Sequence, residues 1–178
     1  MKKRAVRRKI FISIILHALL ILTVYVFQRM VFPHVRLFDL IPLLLPVVGT
    51  GIAVFEGRDI GGVAGLFAGI MCDISFNEPV GVFTILLTFT GLIVGTLADT
   101  IMTRGFLSFY CCSLAVLLLS VAAQIFPLLF FEGVLPRALF TEAARQTIYS
   151  LMFTFPIFPF VRALGRRSGR VLPPGRIR

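Results

Sequence analysis

Gly61-Gly62-Val63-Ala64-Gly65-Leu66-Phe67-Ala68-Gly69-Ile70-Met71-Cys72-Asp73 is the stretch whose reading decides the fold. Gly61, Gly65, Gly69 and Asp73 stand four apart, so on a helix they share one face. Three glycines turn that face into a groove that another backbone can approach closely, the small-xxx-small device of helices packed in lipid. Ala64, Ala68 and Cys72 form a second row of small residues beside it. This pattern predicts a helix packed through its backbone in an apolar setting.

The rest of the chain agrees. Hydrophobic residues make up 58% of 178 residues, charged ones only 15%, and 19 residues are Phe, with a mean hydropathy of +0.97. A water-soluble domain of this length has too little interior to hide that much apolar surface. A disordered aqueous chain needs the opposite composition. The expected class is all-α, a polytopic membrane protein.

Working outward, apolar runs delimit six spans. The first is Ile10–Phe27, whose 18 residues reach roughly 27 Å, close to the hydrocarbon thickness. It follows a basic start but no Ala-x-Ala-like site, so it is read as an uncleaved span rather than a signal peptide. The second, about Leu40–Phe55, is short and contains Pro42 and Pro46, which predicts a kinked or partly re-entrant segment. Glu56-Gly57-Arg58-Asp59 then reads as a polar turn. Span three is Ile60 to about Phe76, span four Val80 to about Ala98, and span five Phe106–Phe126. Pro127–Arg137 reads as a connection, and span six runs from near Ala138 to near Val161, with Pro156 and Pro159 expected to bend its end. A basic tail 1–9, a helical domain 10–164 and a basic, disordered tail 165–178 follow from this division.

The net charge of +10 is concentrated at the two ends. Six cations fall in the first nine residues (Lys2, Lys3, Arg4, Arg7, Arg8 and Lys9) and six in the tail (Arg162, Arg166, Arg167, Arg170, Arg176 and Arg178). Such ends stay on the cytoplasmic side, and six spans return the chain to the side where it began. They also suit anionic lipid headgroups. No basic-aromatic surface lies between them, so nucleic acid is not an expected partner. Cys72, Cys111 and Cys112 sit in apolar runs without metal-site spacing and read as packing residues. His17 and His34 are isolated. No Walker loop, His-Glu-x-x-His or nucleophile elbow is present, and no span holds two acids or an acid–His pair placed for acid–base work. Neither catalytic residues nor a metal or cofactor site is expected.

Span four repeats the small-residue face. Gly91, Gly95 and Asp99 follow Gly65, Gly69 and Asp73 at a constant offset of 26 residues. Consecutive helices run in opposite directions, so the two aspartates lie toward opposite membrane faces. Nine residues do not establish a duplication, because convergence on a packing pattern produces the same echo. For Asp73 an interhelical hydrogen bond, a helix-end contact and a partner contact all remain open, while a relay is disfavoured by the lack of a basic partner within the span. Arg104 is placed to compensate Asp99. Asn77-Glu78-Pro79-Val80-Gly81 closes the hairpin, Pro79 suiting the start of a helix and Gly81 a close approach there. Glu142 and Arg145, three apart, are expected to pair on a solvated helix end.

Gly65-x3-Gly69-x3-Asp73-x5-Pro79-x-Gly81, leading into a second glycine-bearing span, resembles the MreD rod-shape-determining family. The resemblance covers roughly residues 10–167, and its specific part is 61–99. The short second span and the long Arg-rich tail depart from the family pattern. The resemblance implies a non-catalytic inner-membrane subunit of the bacterial cell-elongation machinery. It further implies binding to the bitopic protein MreC and, through it, association with the MreB filament and the RodA–PBP2 synthase pair. The sites it implies are helix-packing or partner-binding: Gly61, Gly65, Gly69, Asp73, Pro79, Gly81, Gly91, Gly95 and Asp99. A substrate-binding subunit of an energy-coupling-factor vitamin importer, similar in length and in its small-residue faces, is the alternative.

Overall fold

The computed structural model describes residues 2–30, 42–76, 81–131 and 136–167. Among these the chain forms seven helices and no strand: α1 Lys2–Met30, α2 Leu44–Glu56, α3 Arg58–Phe76, α4 Val82–Thr100, α5 Phe106–Phe131, α6 Pro136–Met152 and α7 Thr154–Arg167. Pro79 and the rest of the turn between α3 and α4 lie outside the described residues, as does the tail beyond Arg167.

Among the described residues three helices are long and apolar enough to cross a membrane: α1 over Ile12–Met30, α4 over Val82–Thr100 and α5 over Phe106–Phe126. The α6–α7 pair, bent by 47°, makes a fourth if it is one broken span. The expected count of six includes two further helices. One is α2, only 13 residues and so about 20 Å long, short of the ~30 Å hydrocarbon core. The other is α3, which carries Arg58, Asp59 and Asp73.

Helix α2 is the centre of the bundle. All 13 of its residues are buried, and α1, α3, α4, α5 and α7 pack around it. The expected proline kink is absent. Pro46 occupies the first turn, where backbone N–H groups have no intrahelical acceptor in any case, so its missing donor breaks nothing. The start of α2 lies inside protein, and its exposed backbone needs a partner. Ser150 of α6 supplies one: its hydroxyl accepts the Leu43 N–H at 2.9 Å while donating to the Gln146 carbonyl at 2.7 Å.

The polar turn expected at 56–59 shrinks to one residue. Gly57, at φ +84°, reverses the chain between α2 and α3, and Glu56 is fully buried rather than solvated. Two other boundaries also differ from expectation. α5 continues through Pro127 to Phe131. The break in the last span falls at Phe153, upstream of both prolines. Pro156 has no N–H to offer the Met152 carbonyl and crowds it, so the helix ends there and restarts at Thr154.

Aromatic rings close one end of the core. Phe158 of α7 lies 5.8 Å from Phe55, 5.9 Å from Phe109 and 5.0 Å from Phe106, centroid to centroid. Edge and tilted contacts of this kind add to the apolar area they bury. α1 lies against α3, with Ile14, His17 and Ile21 facing Ile60, Ala64 and Phe67.

Candidate functional site

The glycine faces of α3 and α4 pack against each other. A Cβ built on Gly65 would sit inside the backbone carbonyl of Leu87, one on Gly69 would meet Thr84 Cα, and one on Gly91 the Gly61 carbonyl. At Gly95 it would lie 2.6 Å from Arg58 Cα, and at Gly61 2.8 Å from Ala53 Cα of α2. The faces thus exclude even alanine, because the neighbouring atoms are backbone and cannot move aside.

Each end of this pair is closed by an aspartate from the opposite helix. Asp73, in the penultimate turn of α3, accepts the N–H of Gly81 at 3.0 Å, of Phe83 at 2.9 Å and of Thr84 at 3.1 Å, and the Thr84 hydroxyl at 2.5 Å. Gly81 stands at the N-cap of α4 with φ +106° and has no side chain to cap with. Asp73 performs that role from across the interface, where the helix dipole also favours a negative charge. The space around Gly81 is open, so the glycine serves the left-handed backbone and not the close approach expected of it.

At the other end Asp99, near the close of α4, accepts the Arg58 N–H at 3.0 Å and the Arg104 guanidinium at 2.7 Å. Its carboxylate occupies the place where a Gly57 side chain would be. The expected Asp99–Arg104 compensation is therefore present, joined to a helix cap that the sequence reading did not foresee.

The 26-residue echo now has a geometric meaning. Gly65 meets Leu87 and Gly91 meets Gly61; Gly69 meets Thr84 and Gly95 meets Arg58. Adding 26 to the α3 member and subtracting it from the α4 member converts each contact into its counterpart (65 + 26 = 91, 87 − 26 = 61). The hairpin has a local two-fold relation, with the two aspartates at opposite ends of the antiparallel pair, each capping the other's helix.

A second polar constellation departs from expectation. His17 and Glu56, read as isolated and as a turn residue, meet inside the bundle. His17 Nε2 lies 3.6 Å from Glu56 Oε1, with both side chains buried. His17 Nδ1 is 2.6 Å from the Ser13 carbonyl. A carbonyl only accepts, so Nδ1 carries hydrogen and Nε2 is the atom facing the carboxylate. The two residues are 39 apart in sequence and come together because α1 runs beside the turn at Gly57. An acid–His pair of this kind lies across two helices, where no spacing rule within one span would find it.

Among the described residues no group of three or more His, Cys, Asp or Glu is placed to hold a metal ion. Glu142 and Arg145 lie 3.9 Å apart on an exposed turn of α6. No protein-family model, no curated protein and no solved structure matches this chain.

Proposed function

We propose that this chain is a non-catalytic, six-span scaffold subunit of the bacterial inner membrane, with both termini cytoplasmic, in the machinery of cell elongation. In this reading it binds an MreC-like bitopic protein and helps position the wall synthase. One observation carries it beyond the family-like motif. Asp73, the acid at the centre of that motif, receives four hydrogen bonds, all from the first turn of α4. A carboxylate whose oxygens are saturated in this way is a poor ligand for a solute. It is well suited to hold two helices as a rigid wedge on which partners are aligned.

A mild-detergent pull-down of the tagged protein from native membranes, followed by mass spectrometry, tests the reading. Recovery of an MreC-like protein and synthase subunits is the expected result. Recovery of an ATPase pair with its coupling subunit would overturn it in favour of an importer.

A further inference from the structure

Where the start of α3 meets the close of α4, the two helices form an open groove of about 470 Å³. It is lined by Leu92, Ile93, Leu97 and Ile101 of α4 and the turn after it, with Thr96 and Thr100 between them, and by Arg58 of α3. Ile93, Leu97 and Ile101 are all exposed. Leu92 and Ile101 are nine positions apart, about 14 Å along the helix, the length of about ten extended methylene groups. The Arg58 backbone abuts Gly95, between the levels of Leu92 and Ile101, so the groove sets a cation beside an apolar trough.

We propose that this groove binds an anionic phospholipid. The Arg58 guanidinium receives the headgroup phosphate, and one acyl chain lies along Leu92, Ile93, Leu97 and Ile101. The inference needs only the membrane character of the helices and is independent of the elongation reading.

Charge chemistry selects the ligand. Asp99 accepts the Arg104 guanidinium and the Arg58 N–H, while the Arg58 side chain is exposed and makes no ion pair among the described residues, which leaves it to an outside anion. Asp59, the next residue along α3, is exposed and limits the local potential without cancelling it. The hydroxyls of Thr96 and Thr100 donate to the carbonyls of Leu92 and Thr96, each at 2.7 Å. Their protons are thus committed, and Arg58 is the phosphate donor of the groove. Arginine binds phosphate in a two-pronged, charge-assisted manner. The six cations in the first nine residues of the chain add general attraction to a negative leaflet. Leu92 lies flat on α3 because Gly62 has no side chain to hold it off, which keeps the trough open.

The test is native mass spectrometry of the purified full chain released from nanodiscs of equimolar phosphatidylglycerol and phosphatidylcholine. The expected result is preferential retention of phosphatidylglycerol. Arg58→Gln should reduce that preference about fivefold, the ratio equivalent to about 1 kcal/mol per cation at an anionic surface. Arg58→Lys should keep most of it. Thr96→Phe fills the trough while keeping the Arg58 charge, and should lower retention of both lipids. Unchanged thermal stability of Thr96→Phe separates this loss from misfolding. No preference in the wild type, or an Arg58→Gln variant that keeps it, overturns the proposal. Loss of bound lipid to millimolar inorganic phosphate would show a free-anion site instead. A Leu97→Cys variant that crosslinks in native membranes to a protein, and not to lipid, would equally overturn it.

Discussion

Asp73 on α3 accepts the backbone N–H of Phe83 on α4 at 2.9 Å, a helix cap supplied from ten residues earlier in the chain. At the far end of the same pair Asp99 accepts the N–H of Arg58, from α4 back to α3. The two helices are therefore each finished by the other, with glycine-to-backbone contact between the two caps.

Asp73→Leu leaves the N–H groups of Gly81, Phe83 and Thr84 without their acceptor, and should lower stability by about 2–4 kcal/mol, as for a lost cap plus buried unsatisfied donors. Asp73→Asn keeps one oxygen but turns an amide donor toward the other N–H groups. It should lose about half as much. Thermal unfolding in detergent, followed by loss of monodispersity, measures both. Equal losses would mean that the charge itself is required.

Gly65→Ala and Gly81→Ala should separate close approach from backbone conformation. A methyl on Gly65 collides with the Leu87 carbonyl, whereas one on Gly81 meets open space and pays only for its positive φ. The expected cost for Gly81→Ala is about 1 kcal/mol. Gly65→Ala should exceed it by a factor of two or more, since the helices must separate. The same unfolding assay ranks them, and Gly65→Leu combined with Gly69→Leu should abolish accumulation of the folded protein in membranes.

Arg104→Ala removes a partly exposed ion pair and should change stability by less than about 1 kcal/mol. Asp99→Ala removes that pair and the α3 cap together, and should cost more by about 1 kcal/mol. A double variant no worse than Asp99→Ala alone would show that Arg104 acts through this carboxylate.

His17→Leu and Glu56→Leu should each be more harmful than the double variant. Removing one member leaves a polar group buried against an apolar one, while removing both leaves matching surfaces. A double-mutant cycle should return a coupling of at least about 1 kcal/mol. Additive losses would mean that the two side chains stabilise the fold separately.

Much of this architecture is legible in the sequence. Four-residue spacing announces the faces of Gly61, Gly65 and Gly69 and of Gly91 and Gly95, because such a face serves only close helix contact. Arg104 could be matched to Asp99 by proximity in the chain. For Asp73 the sequence offers an interhelical hydrogen bond or a helix-end contact, and the structure shows one that is both; the targets of the caps, and the Asp99 cap, are not legible. The caps join residues on different helices, and the acceptor's targets are backbone N–H groups, which no side-chain pattern records. Glu56 was misread for a related reason. A charged residue bounding an apolar run ordinarily marks a solvated turn, but here Gly57 reverses the chain in one residue and leaves Glu56 inside, against His17. The central position of α2 was hidden as well. Its prolines suggest a broken span until the helix start is fixed at Leu44, which places Pro46 in the harmless first turn.

The reciprocal capping of α3 and α4 is tested most directly by residue-resolved amide hydrogen exchange on the detergent-solubilised protein. First-turn N–H groups usually exchange fast, having no intrahelical acceptor. Phe83, Thr84 and Arg58 should instead be protected to the level of mid-helix amides. Asp73→Asn should speed exchange at 83 and 84 while leaving 58 protected, and Asp99→Asn should do the reverse. Fast exchange at Phe83 and Thr84 in the wild type, or protection there that survives Asp73→Asn, would contradict the account.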